Sequence, residues 1–162
     1  MTADWVSVVR GLAASIGDFT EVVPRERWLT DRLLEFVFEP TDRSAATMTL
    51  LAASDQMIFF AGRGARFELD APDRASEEVA DLARAVAAGG LTERVGRHRV
   101  RFLIDLGNGE EVSGSSTLRR DRRNEEKGTY HYAPYPVGGP PGPAPQGKRT
   151  PHGTWEALDH PG

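Results

Sequence analysis

Arg99-Val100-Arg101-Phe102-Leu103-Ile104-Asp105-Leu106-Gly107-Asn108-Gly109 decides the fold class. Val100, Phe102, Ile104 and Leu106 alternate with Arg99, Arg101 and Asp105, and only Leu103 is apolar on the polar side. A period of two gives a strand with one buried and one wet face. Asn108-Gly109 accepts positive φ at both turn positions, so the chain reverses there into a hairpin. Glu111 to Leu118 then returns as a second, weaker strand with Gly114 inside it. Extended upstream, the same alternation predicts a strand over residues 94–106, which also brings in Arg97.

Working outward, Pro72 and Asp73 open a helix whose buried stripe is Val79, Leu82, Ala83 and Val86, and Gly89-Gly90 stops it. Before it, Leu33 to Glu39 reads as a strand ended by Pro40. Thr47 to Ala53 and Gln56 to Ala61 read as two strands joined at Ser54-Asp55. Gly62-Arg63-Gly64 bends the chain, and Ala65 to Asp70 continues it as an optional further strand. Near the N-terminus, Trp5, Val8, Val9, Leu12 and Ile16 form one helical stripe over residues 4–16, with Gly17 as the stop. Residues 19–32 are ambiguous: Pro24 breaks a long helix, and Arg25 to Asp31 fits a short helical turn. The expected fold is therefore α+β. Its antiparallel sheet has about five to six strands in the order α-β-β-β(-β)-α-β-β, with both helices on one face and the other face wet or covered by a partner.

Composition divides the chain at residue 118. Of 162 residues, all seven phenylalanines lie before that point, whereas eight of eleven prolines lie after residue 128. Residues 1–118 carry 13 basic and 19 acidic groups, and residues 119–162 carry 7 and 5. A segment poor in aliphatics and rich in Pro and Gly cannot offset its ordering entropy by burial. The expectation is a compact domain over 1–118 and a flexible tail over 119–162. The tail holds the aromatic run Tyr130 to Pro136, the polyproline-like Pro140 to Pro145, and Thr154 to Leu158 as a short sticky segment. Arginine outnumbers lysine 18 to 2, which reads as codon bias before guanidinium recognition.

Several function classes lose support here. There is no cysteine, so disulfide scaffolds, thiol nucleophiles and cysteine-held metal centres are excluded. The longest apolar run, Met57 to Ala61, is far short of the roughly 20 residues of a membrane span. Asp4 and the lack of early positive charge argue against a signal peptide, so a cytoplasmic location is expected. His98, His131, His152 and His160 form no metal-ligating spacing. Ser113, Ser115, Ser116 and Thr117 lie on a polar strand without a nucleophile elbow. Glu77/Glu78 and Glu110/Glu111 read as a helix start and a hairpin rather than an acid/base pair. Gly107, Gly109 and Gly114 do not have dinucleotide-loop spacing. The expectation is a non-catalytic protein with no cofactor and no metal.

What remains is binding. Arg97, Arg99 and Arg101, with Asp105 further along, project from one strand face as the candidate partner-binding residues. Another protein is the expected partner. The alternative is a nucleic-acid-binding accessory protein using that strand and the basic arm Arg119, Arg120, Arg122 and Arg123. Interleaved acids and the lack of stacking aromatics on that face weigh against it. A homodimer seamed by the first helix through Trp5 and Val9 is a further expectation. The element order over 4–118 resembles the small α+β folds of type III secretion chaperones and of bacterial toxin-immunity proteins. That resemblance rests on element order and brings no site residue. It implies a bacterial protein that binds another protein through a sheet face or helix.

Overall fold

The computed structural model describes residues 4–70, 72–118, 126–136 and the backbone of 149–150. The fold is α+β, with two helices and two antiparallel sheets. Helix α1 (Trp5–Thr20) precedes strands β1 (Arg25–Thr30), β2 (Leu33–Phe38), β3 (Met48–Ala52), β4 (Gln56–Ala61) and β5 (Ala65–Asp70). Helix α2 (Pro72–Ala87) leads to β6 (Leu91–Val95), β7 (Arg99–Asp105), β8 (Glu111–Thr117), β9 (Gly128–His131) and the short β10 (Arg149–Thr150). The first sheet is a meander, β1-β2-β3-β4-β5, and the second runs β10-β9-β6-β7-β8. The single sheet expected from the sequence is thus two. No helix among the described residues is long and apolar enough to cross a membrane.

Alternation positions the core. Leu34, Phe36 and Phe38 of β2, Met48 and Leu50 of β3, and Met57 and Phe59 of β4 all face inward and are buried. Both helices cover this face: α1 packs on α2 and reaches β2, while α2 touches β4, β5 and β7. Val9, Leu12 and Ile16 are spent in this packing. Val9, expected at a dimer seam, is buried within the chain, while Trp5 stays half-buried and packs edge-on against the exposed Trp28 at 6.1 Å. Rings carry the core across to the second sheet: Phe59 to Phe67 at 6.4 Å, then Phe67 to Phe102 at 5.4 Å.

Four boundaries differ from the sequence reading, each for a local reason. Helix α1 runs through Gly17 and ends at Glu21, which takes the left-handed conformation at φ 54°. Thr20 Oγ1 holds the extra turn by donating to the Ile16 carbonyl at 2.6 Å. Residues 25–30 form a strand, not a helical turn, because β1 pairs along β2. The expected strand over 94–106 is two strands, with Gly96, Arg97 and His98 turning between them and Gly96 N donating to the Arg99 carbonyl at 2.8 Å.

The fourth difference concerns the tail. Past residue 118 the chain returns to the fold, and β9 pairs with β6. Tyr135 is buried, and its hydroxyl donates to the Ala46 carbonyl at 2.5 Å and lies 3.3 Å from that of Phe38. Burial pushes that phenol well above its ordinary range. Three tyrosines in a Pro-rich stretch supply the apolar area that overall composition hid. Tyr135→Phe should lower stability by about 1 kcal/mol in urea denaturation, because the Ala46 carbonyl loses its buried donor while the ring stays.

Candidate functional site

Three features are candidates, and each follows from strand register. The first is the outer face of the second sheet. Arg99, Arg101 and Asp105 are exposed there, and Arg97 lies exposed in the preceding turn. Register adds Arg94, which stands directly opposite Arg101. Asp105 does not join this group. It sits four residues from Arg101, about 13 Å along the strand. Its Oδ1 accepts from Gly107 N at 2.8 Å, so it caps the hairpin turn. The basic arm Arg119 to Arg123, His152 and His160, and the segments Pro140 to Pro145 and Thr154 to Leu158 lie outside the described residues.

The second feature is a buried carboxylate. Glu93 points inward between Leu91 and Val95 and is fully buried. Uncompensated, such a group would be strongly unfavourable. The β4–β5 turn compensates it. Arg63 N donates to Oε2 at 2.8 Å, and Gly64 N and Ala65 N donate to Oε1 at 2.7 and 3.1 Å. Tyr132 Oη adds a fourth bond to Oε2 at 2.6 Å. Burial pushes the Glu93 carboxyl above the ordinary carboxylate range, against the pull of these donors. It also raises the Tyr132 phenol, with the neighbouring Glu93 charge adding to the shift. The three backbone N–H donors favour the ionised form, against the effect of burial.

Glycine makes this docking possible. Gly62 sits at φ 60°, where a Cβ would stand 2.7 Å from Glu93 Oε2. A Cβ on Gly64 would lie 2.5 Å from Val100 Cβ. Ser116 Oγ secures the turn from β8 by donating to the Gly64 carbonyl at 2.7 Å. The docked turn presents Arg63 in a fixed pose. Its guanidinium lies 3.9 Å from the centre of the Tyr130 ring, and its Nη1 donates to Tyr132 Oη at 2.9 Å. Arg63 and Tyr132 line a groove of about 850 Å³, together with Arg43, Thr49, Phe60 and Arg66.

The third feature is the outer face of the first sheet, which the groove adjoins. Register places Arg27, Glu35, Leu51, Ile58 and Glu68 in one cross-strand row. The next row is Arg25, Val37, Thr49, Phe60 and Arg66. Both rows are charged at their ends; the first has Leu51 and Ile58 inside, and the second has Val37 and Phe60 on either side of Thr49. Val37, Leu51, Ile58 and Phe60 are half-buried and belong to no core cluster. The charges around them pair within the chain: Arg27 with Glu35 at 2.8 Å, Arg25 with Glu39 at 3.6 Å, and Arg66 with Glu68.

Sequence reasoning found the arginines of β7 and missed the other two features. Glu93 was legible as an acid in phase with Leu91 and Val95. The outer face of the first sheet was legible in Met57 to Ala61, an unbroken apolar run where a one-sided strand would alternate. No family model, curated protein or solved structure matches this chain.

Proposed function

We propose that this protein is a non-catalytic protein-binding domain, of the kind that serves as an immunity protein or secretion chaperone. One observation carries the reading: the outer face of the first sheet. A contiguous apolar centre ringed by charges is the anatomy of a protein interface. Because the ring charges are already paired internally, a partner need not supply counter-charges to cover them. A second reading rests on the exposed basic face of the second sheet, which carries Arg99 and Arg101 of β7. An acidic protein or nucleic acid would complement the charge of that face.

Capture with the tagged full chain from native lysate, with and without nuclease, separates the two. The wild type should retain a stoichiometric protein partner after nuclease treatment. Leu51→Glu/Ile58→Glu should weaken that complex by about thirtyfold or more, the scale of a central apolar contact. Arg99→Glu/Arg101→Glu should leave it intact. Loss with the arginine pair alone would move the contact to the second sheet. A nuclease-sensitive complex would favour nucleic acid.

A further inference from the structure

We infer that the groove between α1 and α2 docks a basic amphipathic helix of a partner protein. This surface is separate from the one proposed on the first sheet. It lies on the other side of that sheet, where the helices cover the inner face. The groove holds about 460 Å³. Val8 and Leu12 of α1 and Ala80 of α2 supply its apolar lining. Glu77, Asp81 and Arg84 stand along its α2 wall. Both walls are helices of 16 residues, so a helix of similar length can lie alongside them.

Two features of this groove work against the helices that form it. The first is charge. Asp73, Glu77 and Asp81 follow one another at intervals of four residues and make one exposed row along α2. Like charges at that spacing destabilise a helix. The positive helix N-terminus offsets this for Asp73 in the first turn, but its effect has faded by Asp81 in the third. Arg84 lies 3.4 Å from Asp81, whereas Asp73 and Glu77 have no ion-pair partner among the described residues. Cations at the same spacing on a partner helix would complement the row. The second feature is Gly11, exposed in the middle of α1 and three and four residues from Val8 and Ser15 of the groove wall. Glycine is a poor helix former. The fold does not require it here, since an added Cβ would meet nothing within 4 Å. Its bare backbone instead admits the close approach of another chain. Local rules broken without a packing reason point to a functional surface. An apolar lining, a carboxylate row and a bare stretch of helix together select a helix with an apolar stripe flanked by cations. The same carboxylates repel nucleic acid.

The test is fluorescence anisotropy with the full chain and a labelled peptide of about 18 residues, mostly alanine and glutamine. The peptide carries leucines at i, i+3, i+4 and i+7 spacing and a row of three lysines beside them. It should bind saturably, and more tightly than a scrambled peptide of the same composition. Glu77→Lys/Asp81→Lys should weaken it about tenfold or more without loss of melting temperature. The charge-matched Glu110→Lys/Glu111→Lys, at the β7–β8 hairpin, should not. Gly11→Gln should also weaken it about tenfold while raising Tm by about 2 °C, because glutamine is the better helix former. A purely structural role for Gly11 would not couple weaker binding to greater stability. Absence of binding, equal binding of the scrambled peptide, or unchanged affinity in Glu77→Lys/Asp81→Lys or Gly11→Gln would overturn the site. An equal loss in Glu110→Lys/Glu111→Lys would also overturn it, as general attraction between opposite charges. Self-association in sedimentation that Glu77→Lys/Asp81→Lys abolishes would give the groove to a second copy of this chain and overturn the partner helix. Leu51→Glu/Ile58→Glu should bind the peptide like the wild type, so the two surfaces stand or fall separately.

Discussion

Glu93→Ala should destabilise the protein by about 3–5 kcal/mol, measured by urea denaturation, a large share of the total stability of a typical domain. The substitution deletes the acceptor for Arg63 N, Gly64 N, Ala65 N and Tyr132 Oη at once. Each buried donor left without a partner costs on the order of 1–3 kcal/mol. Water entering the vacated space would recover only part of that. Glu93→Gln separates charge from shape. The amide keeps one accepting oxygen but turns a donor toward other donors, so a loss of about 2–3 kcal/mol is expected. If Glu93→Ala were as stable as the wild type, the turn would not depend on this carboxylate.

Gly64→Ala should have the next largest effect, about 3 kcal/mol, read as a fall in Tm of about 10 °C. The added methyl would stand 2.5 Å from Val100 Cβ and 2.7 Å from Ser116 Oγ. The serine can rotate. Val100 cannot retreat easily, because it is fully buried and the contact is to its Cβ rather than to a flexible tip. The turn must lift, which stretches the bonds from Gly64 N and Ala65 N to Glu93. Gly64→Ala and Glu93→Ala therefore strain one contact, and their double variant should lose less than the sum of the two. Strict additivity would show that the two residues act independently.

The fold class was legible where burial is one-sided. Val100, Phe102 and Ile104 announce β7 because each alternate residue is wet, and Pro72 and Gly89-Gly90 bracket α2 by backbone chemistry. Strand β1 was illegible for the opposite reason. All six of its residues are exposed, so Arg25 to Thr30 carries no hydrophobic period, and its extended form comes from pairing with β2. Strand β9 was hidden because aromatic residues in a Pro-rich context resemble a linker by composition. Their anchors, Ala46 and Glu93, are far away in sequence. The same distance hid the Glu93 site, which joins residues 63–65, 93 and 132. Periodicity shows which face a side chain takes but not what waits for it there.

The apolar face of the first sheet has one more consequence. Val37, Leu51, Ile58 and Phe60 contribute to none of the packing that unites the helices and the two sheets. The residues that hold the molecule together alternate, one by one, with those it displays. Variation on the displayed set thus leaves the architecture nearly untouched. If this surface binds a partner, as proposed, a lineage could exchange one partner for another there without passing through an unstable ancestor.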